Sequence, residues 1–365
     1  MCSGEDQPGN VRLKIREATW RDRGMWDEYV LGHPWGSPYH LFAWKEAIER
    51  AYGFPCPGLL AEDDSGVRGV FPFACIRSPL RGKTFVSLPY CDFGGPAAHE
   101  PDVFRLLFQE AWRWTDSQDK ALFEIRSPFP LPGSGQDIHP LESKARLVLD
   151  LPSGSDALFS GFKSKLRSQV RKPLRDGLSA EIGGAELLAP FYRVFCRNMR
   201  DLGSPVHSRK WFRALLQGFG ERMRICVVRM PDGMPAAAGI MLCTSYSVTV
   251  PWASSLRELN RWNPNMLLYW TMLSHAADGG WERFDFGRST PGEGTWKFKR
   301  QWGAEPAPLY WGRFRVGKTD WFPMPEAGGI VSVGRGRAFS ERVIRNMPVP
   351  VATFLGTRLR KYISL

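Results

Sequence analysis

The sequence lacks the patterns that mark several common enzyme classes. Its seven cysteines are scattered without a C-x-x-C pair, which is typical of reduced thiols and argues against a disulfide framework or a zinc site. Its six histidines show no metal-binding spacing, and no G-x-S-x-G or paired Cys/His motif indicates a covalent nucleophile. We therefore expect neither a metal nor a tightly bound cofactor.

Long hydrophobic runs are also missing. No segment approaches the roughly 18 apolar residues that a membrane span requires. The N-terminal stretch MCSGEDQPGN is polar and lacks the apolar region of a signal peptide. These absences predict a cytoplasmic protein, either free or at the inner face of the membrane.

Acidic residues are scarce near the end of the sequence. The net charge is +12, and Val331–Leu365 contains seven Arg or Lys but a single acid, Glu341. A positive field favours anionic partners such as nucleic acid, CoA or an acidic membrane surface. We expect this basic tail either to contact a phosphate-bearing or membrane surface or to form a solvated terminal helix.

Apolar residues, by contrast, are plentiful enough for more than one core. With 365 residues, 43% of them hydrophobic and 13% aromatic, the chain has the length of two domains of about 150 residues each. Each half predicts the order helix, antiparallel strands, helix and strand, which indicates an α+β fold and not a doubly wound sheet. We place the first domain at residues 1–150, the second at residues 151–315 and the basic tail at residues 316–365.

The second half is predicted to open with a helix over Ser155–Arg171 that ends near Pro173. An apolar residue recurs at every fourth position, at Leu158, Phe162, Leu166 and Val170. A basic residue recurs with the same spacing, at Lys163, Arg167 and Arg171. These cations either hold phosphates of a donor or acceptor or form an ordinary solvated helix face.

A glycine-containing loop follows the β-rich part of the first half. It carries Tyr90, Asp92, Gly94 and Gly95. The loop either lines an acceptor cleft between the two domains or is a strand-end turn that needs glycine.

The most informative stretch is Phe284–Gly303, FDFGRSTPGEGTWKFKRQWG. Its Asp-Phe-Gly triplet matches a kinase motif by chance, because the companion kinase motifs are missing. Arg288–Gly294 resembles the R-x-x-G-x-G pyrophosphate loop of acetyltransferases, but its spacing is one residue too long and no long helix is predicted after it.

Polar and apolar residues alternate over Thr295–Trp302, which predicts a strand. One face of that strand would present Lys297, Lys299 and Gln301 together. The alternative is an edge strand whose lysines lie in solvent. Asp285 and Arg288, immediately before this segment, would orient an acceptor or each other.

Four strings together carry a family resemblance: FDFGRST…GTWKFKRQWGAEP, NMRDLGSPVHSRKWF, PWASSLRELNRWNPNMLLYW and VSLPYCDFGGP. They resemble the FemAB-related proteins found with bacterial exopolysaccharide and PEP-CTERM sorting loci, over about Phe42 to Tyr310. The resemblance implies two tandem GNAT-like domains, each a mostly antiparallel sheet flanked by helices. It also implies kinship with the Fem ligases, which move an aminoacyl group from tRNA to an amine of a peptidoglycan precursor.

In those ligases a Phe-Lys pair lies by the acyl donor, and Phe298-Lys299 matches it here. The resemblance thus implies that Phe298-Lys299 lies by the acyl donor. Because attack by an amine creates an oxyanion, Lys299 is our candidate for stabilising it. From their positions in the segment we add Asp285 and Arg288 as catalytic candidates and Trp296, Lys297 and Phe298 as substrate contacts. The expected reaction transfers an acyl or aminoacyl group from aminoacyl-tRNA or acyl-CoA to an amine of a cell-envelope or exopolysaccharide precursor. An acetyl-CoA-dependent N-acetyltransferase and a non-catalytic binder of an anionic glycan or nucleic acid stay open as alternatives.

Overall fold

The structure, a computed structural model, describes residues 13–79, 82–116, 122–130, 140–315, 321–323 and 335–364. In its described residues the first half contains three α-helices and seven strands. In chain order they are β1 (Lys14–Glu17), α1 (Arg23–Gly32), α2 (Phe42–Tyr52), β2 (Gly58–Asp63), β3 (Gly66–Pro72), β4 (Ala74–Ser78), β5 (Gly82–Val86), β6 (Ala97–Ala98), α3 (Pro101–Asp116) and β7 (Leu122–Ser127).

The remainder of the described chain contains eight helices and nine strands. In order they are β8 (Ala145–Asp150), α4 (Ser155–Gly161), α5 (Ser164–Arg175), β9 (Ser179–Gly183), α6 (Leu188–Leu202), α7 (Arg209–Phe219), β10 (Met223–Arg229), β11 (Pro235–Cys243), β12 (Ser247–Ser255), α8 (Pro264–Asp278), β13 (Arg283–Ser289), α9 (Gly294–Arg300), β14 (Glu305–Ala307), β15 (Tyr310–Arg315), β16 (Trp321–Pro323), α10 (Arg335–Arg345) and α11 (Val349–Leu359).

These strands form three sheets that are mostly antiparallel. Their orders are β1-β2-β3-β6, β16-β15-β7-β5-β4 and β14-β8-β13-β12-β11-β10-β9. The two parallel pairs are β5 with β7 and β12 with β13, and a helix, α3 or α8, connects the strands of each pair. The predicted α+β class is therefore confirmed, and the two halves repeat a strand–helix–parallel strand unit.

The predicted domain limits do not coincide with the limits of the sheets. β8 lies before residue 150 but pairs with β13 in the seven-stranded sheet. β15 lies before residue 315 but pairs with β7 in the five-stranded sheet. The two halves thus exchange strands, and the domain limits themselves stay a prediction.

A shared aromatic core also joins the halves. The Trp44 ring of α2 stacks on Trp252 of β12, with 6.0 Å between ring centroids, and meets Trp211 of α7 edge-on at 5.2 Å. At the same interface Gly218 lies so close to Ala43 that an added Cβ would approach the Ala43 Cβ to 3.0 Å. Close packing of α2 against α7 therefore fixes one half relative to the other.

The single helix predicted over Ser155–Arg171 is wrong. The structure has two helices, α4 and α5, with Phe162 and Lys163 extended between them. The Phe162 ring packs edge-on against both Trp270 and Trp302, so tertiary packing favours the break. The second helix ends near Pro173 as expected: α5 stops at Arg175, with Pro173 buried in its last turn.

The described helices of the basic tail pack back onto the rest of the chain. α10 and α11 both pack against α6, and the last described residues enter the first half, where Ser364 O accepts a hydrogen bond from Tyr90 N at 2.7 Å. Among the helices of the described ranges, none has both the length and the apolarity to cross a bilayer.

Candidate active site

The candidate site lies where the parallel strands β12 and β13 separate. They pair at three positions only, of which the last joins Thr249 and Asp285. Beyond that point β13 bulges: its register against β8 shifts between Asp285 and Arg288, and Gly287 has a φ of +72°. Glycine suits this bulge because a side chain would strain a left-handed backbone. The opened edge of β13 is then available to groups from other parts of the chain.

Asp92 enters this opening from the first half. Its Oδ2 accepts a hydrogen bond from the Arg288 backbone N–H at 3.0 Å, and its Oδ1 lies 3.3 Å from Arg288 Nε. The Trp311 indole N–H donates to the Asp92 carbonyl at 3.0 Å and fixes the loop. Asp92 thus takes the place of a neighbouring strand at this point of β13. It also holds the Arg288 guanidinium at the surface of the site, where 31% of the Arg288 side chain is exposed.

Asp285 and Arg146 form the deeper part of the site. Asp285 Oδ2 accepts a hydrogen bond from Arg146 Nη1 at 2.9 Å, and Oδ1 accepts one from the Gly287 N–H at 2.8 Å. Asp285 and Arg288 do not pair with each other, because each is paired with another residue, Arg146 or Asp92. That they orient an acceptor stays a prediction. The bulge separates them, so that one faces inward and the other lies nearer the solvent.

Lys299 reaches the bulge from α9. Its Nζ donates hydrogen bonds to the carbonyls of Gly287 and Arg288, each at 3.0 Å. Burial lowers the pKa of Lys299 to about 8, although the nearby carboxylates of Asp92 and Asp285 counteract part of that shift. An ammonium has three N–H donors, and no residue of the described chain takes the third. Lys299 therefore combines a fixed position with one N–H that no described residue accepts.

The predicted strand over Thr295–Trp302 is wrong, because this segment forms helix α9 and the turn after it. Side chains two residues apart on a helix point about 200° apart, so Lys297 is exposed while Lys299 is buried. The three residues expected on one strand face are therefore not on one face. The helical signal was a spacing of three residues, which places Trp296, Lys299 and Trp302 on the side of α9 that faces the protein. The alternation of polar and apolar residues obscured this signal.

Asp92, Arg146, Asp285, Arg288 and Lys299 form a charged cluster. Phe298 packs away from this charged cluster. Its ring meets Tyr269 of α8 edge-on at 5.0 Å, and Tyr269 in turn stacks on Phe286 of β13. Trp296 is half-buried against the core of the second half. Phe298 and Trp296 therefore anchor α9, which holds Lys299 in place, and their predicted contact with substrate stays a prediction.

The basic residues of α5 lie on a different surface. Lys163 is exposed at the start of the helix, Arg167 donates to the Ser160 carbonyl at 3.1 Å, and the Arg171 guanidinium lies 5.1 Å from the centre of the Phe159 ring. In the described part of the chain no contact connects them with Lys299. These three basic residues share one side of α5, and the structure does not bring them to the charged cluster.

Tyr90 does not line an open cleft. Its side chain is 5% exposed, its hydroxyl donates to the Lys361 carbonyl at 2.6 Å, and its backbone takes the unusual φ of 69°. Gly94 is buried where an added Cβ would approach Leu88 to 2.7 Å, and the Gly95 carbonyl lies 2.9 Å from His40 Nε2. Of the four residues predicted in this loop, the structure brings only Asp92 to the cluster.

Sequence reasoning missed Arg146 and Lys144. The Lys144 ammonium donates to the Thr290 hydroxyl, directly after β13. Arg146 lies on β8 opposite Arg288, and its guanidinium lies 4.4 Å from the centre of the Phe93 ring. The only signal that the sequence offered is the spacing of two between Lys144, directly before β8, and Arg146, within it.

Two open cavities lie away from this cluster. One, of about 600 Å³, is beside Arg68 and Glu100, and the other, of about 390 Å³, is beside Arg193 and Arg229. Neither is lined by a residue of the charged cluster. We place the candidate site by its converging charges and not by the size of a cavity.

Comparison with known proteins agrees with this fold. Residues 160–300 match the family described as acetyltransferase (GNAT) domain. Among solved structures, FemX has a TM-score of 0.64 at 14% identity, over 81% of this chain and 95% of that chain. The C-terminal domain (DUF2156) of a putative lysylphosphatidylglycerol synthetase from Agrobacterium fabrum has a TM-score of 0.55 at 15% identity, over 80% and 91%.

A conserved protein of unknown function from Bacteroides thetaiotaomicron VPI-5482 also shares the fold, with a TM-score of 0.51 at 9% identity over 84% of this chain and 100% of that chain. No curated protein sequence matches significantly. The resemblance to FemAB-related, GNAT-like proteins is confirmed at the level of the fold, and the segment that matches the acetyltransferase (GNAT) domain family, residues 160–300, includes Asp285, Arg288 and Lys299.

Proposed function

We propose that this acyltransferase, whose residues 160–300 form a GNAT domain within a FemX-like fold, moves an acyl or aminoacyl group from an anionic activated donor to an amine. The acceptor amine belongs to a cell-envelope or exopolysaccharide precursor at the inner face of the membrane. The observation that supports this most directly is the Lys299 ammonium, held against the Gly287 and Arg288 carbonyls with one donor left for substrate.

In this proposal Lys299 stabilises the oxyanion. The amine nitrogen attacks the acyl carbonyl, the carbonyl oxygen becomes negatively charged, and the bond to the thiol or ribose oxygen of the donor then breaks. The amine proton leaves with the departing group or to solvent. A donor already fixed in a buried site stabilises the developing charge without reorganisation. The Asp92–Arg288 ion pair, being more exposed, orients the acceptor.

Phosphates of the donor are proposed to bind the basic surface of α5 and the segment before α8. The Lys172 ammonium of α5 donates to the Arg261 carbonyl at 3.1 Å. This hydrogen bond connects α5, which carries Arg167 and Arg171, with the segment before α8. The α9 segment also contacts α8: the Phe298 ring meets Tyr269, and Gln301 Nε2, directly after α9, lies 3.8 Å from Met266 Sδ. A donor bound at the start of α8 could thus extend its acyl group toward Lys299.

Titration with two donors tests the proposal. Acetyl-CoA and a charged tRNA are each added to the purified protein, and binding is followed by calorimetry while transfer to an amine is followed by mass spectrometry. We expect one donor to bind, and replacing Lys163, Arg167 and Arg171 together with glutamine to weaken that binding, more at low than at high salt. Tight acetyl-CoA binding alone, with acetyl transfer, would favour the N-acetyltransferase that the domain description suggests. Binding of neither donor would contradict the proposal.

The pH dependence of transfer is a second test. Because the pKa of Lys299 is lowered to about 8 and its charged form is the active one, the rate is expected to fall as the pH rises through about 8. The acceptor used in this measurement should be a weakly basic amine that is already unprotonated at neutral pH. The titration of the acceptor then does not contribute to the pH–rate profile.

Lys299→Arg is the control for this profile. A guanidinium stays charged over the whole range, so the fall near pH 8 should disappear even if the variant is slower. A rate that rises through pH 8 in the wild type and becomes flat in the variant would instead make Lys299 a general base.

A further inference from the structure

One face of α11 is apolar and exposed. Its side chains recur at helical spacing and remain open to solvent: Val351 45%, Phe354 57%, Leu355 40% and Leu359 54% exposed. Single exposed apolar residues are common, but four on one helix face form a patch that requires an explanation. In the described ranges no helix or strand covers this face.

The opposite face of α11 fixes which side is exposed. Ala352 and Gly356 are buried, and an added Cβ at Gly356 would approach the Val206 backbone nitrogen to 2.8 Å. Because only small residues fit there, the helix cannot rotate to bury the larger side chains. The apolar face therefore points away from the protein as a property of the fold.

The end of the chain holds α11 firmly. After the helix, the Arg360 guanidinium lies 5.3 Å from the centre of the Tyr90 ring, and the Ser364 carbonyl accepts a hydrogen bond from Arg126 Nη1 at 2.8 Å. The end of the chain therefore contacts Tyr90, which lies in the same loop as Asp92. A surface bound by α11 would thus have a fixed orientation relative to the candidate active site.

The charge on this face is positive. Arg358 lies within the apolar face, with its guanidinium 3.5 Å from the centre of the Phe354 ring. Arg342 and Arg345 are exposed on the preceding helix α10, where Arg345 lies 3.6 Å from the Glu341 carboxylate. No acidic residue lies within Val349–Leu359. An apolar helix face with basic residues beside it is the composition that binds anionic lipid surfaces.

A second copy of the chain fits this face less well. In a symmetric dimer the same patch would meet itself, which would bring Arg358 close to its equivalent in a chain with a net charge of +12. An anionic bilayer can both bury the apolar side chains and neutralise the positive charge of the arginines with its headgroups.

We infer that the face formed by Val351, Phe354, Leu355, Arg358 and Leu359 docks on the surface of a bilayer that contains anionic lipid. The helix lies in the plane of the interface, with its apolar side chains among the acyl chains and its arginines at the headgroups. This docking is independent of the chemistry at Lys299.

Vesicle co-sedimentation tests the inference. The wild-type protein is expected to bind phosphatidylglycerol–phosphatidylcholine vesicles, more weakly as salt increases, and to bind pure phosphatidylcholine vesicles poorly. The variant Phe354→Ser/Leu355→Ser/Leu359→Ser should bind the anionic vesicles at least about tenfold more weakly. The matched control is Leu174→Ser/Met25→Ser, which removes exposed apolar residues elsewhere and should bind as the wild type does.

Further measurements separate the possible outcomes. Arg358→Gln should weaken binding to anionic vesicles only, and Lys299→Met should bind vesicles normally, which distinguishes docking from catalysis. The thermal midpoint of the triple variant should match that of the wild type because the residues are exposed. The inference is overturned if the wild type does not bind anionic vesicles, if the triple variant binds them equally well, or if the triple substitution converts a wild-type dimer into a monomer in sedimentation velocity.

Discussion

Replacing Lys299 with methionine is expected to lower the rate of acyl transfer by about 10²–10³-fold, the effect of removing one preorganised donor to an oxyanion. Methionine keeps most of the side-chain volume but cannot donate. The loss should appear in kcat more than in KM, because the donor acts on charge that develops in the transition state. Steady-state kinetics with the donor identified by titration measures the effect.

Lys297→Met is the matched control for this variant. It removes the same charge from the same helix, but Lys297 is exposed, so kcat should change by less than about threefold, since solvated surface charges contribute little. Because Lys299 also holds the bulge carbonyls, circular dichroism and the thermal midpoint must show that the Lys299 variant is folded. A folded variant with nearly normal kcat would show that Lys299 does not stabilise the transition state.

The largest effect on stability is expected at Glu124. Its carboxylate accepts hydrogen bonds from Arg313 Nη2 at 2.6 Å, Arg126 Nη2 at 3.1 Å and the Ser364 hydroxyl at 3.1 Å. Arg126 is fully buried. Glu124→Ala leaves two guanidinium groups without their counter-ion, one of them in the core, and should lower the free energy of unfolding by about 3–5 kcal/mol.

Urea unfolding measures this loss, with Glu110→Ala as the control. Glu110 pairs with Arg113 on the exposed side of α3, and its removal should cost no more than about 1 kcal/mol. A cost for Glu124→Ala as small as that of the control would show that Ser364 and the nearby carbonyls suffice to hold Arg126.

The same carboxylate predicts how this stabilisation depends on pH. Burial opposes the charge on Glu124, but the guanidinium groups of Arg126 and Arg313 outweigh it and lower the pKa of Glu124. A carboxyl whose folded pKa lies below its unfolded value stabilises the fold above the unfolded value, and this stabilisation is lost as the pH falls through the folded value. The difference between wild type and Glu124→Ala should therefore shrink at acidic pH.

Much of the secondary structure could be predicted from the sequence because local signals were strong. Gly53 and Gly203 end α2 and α6 in the left-handed conformation, both with φ of 72°, and Pro264 begins α8. Segment 295–302 could not be predicted, because eight residues that alternate polar and apolar side chains fit a strand and a short helix equally well. Contacts of Trp296 and Phe298 with the rest of the protein decided in favour of the helix.

The sequence by itself determined the α+β class, the order of most elements and the positive charge, and through family resemblance it led to the prediction that Lys299 acts in the site. Only the tertiary structure decided which residues surround Lys299. Asp92 reaches Arg288 across 196 residues, and Arg146 reaches Asp285 across 139. Such pairings depend on the bulge at Gly287 and on strands that the two halves exchange. These are long-range contacts, and neither hydrophobic periodicity nor local conformational preference along the chain encodes them.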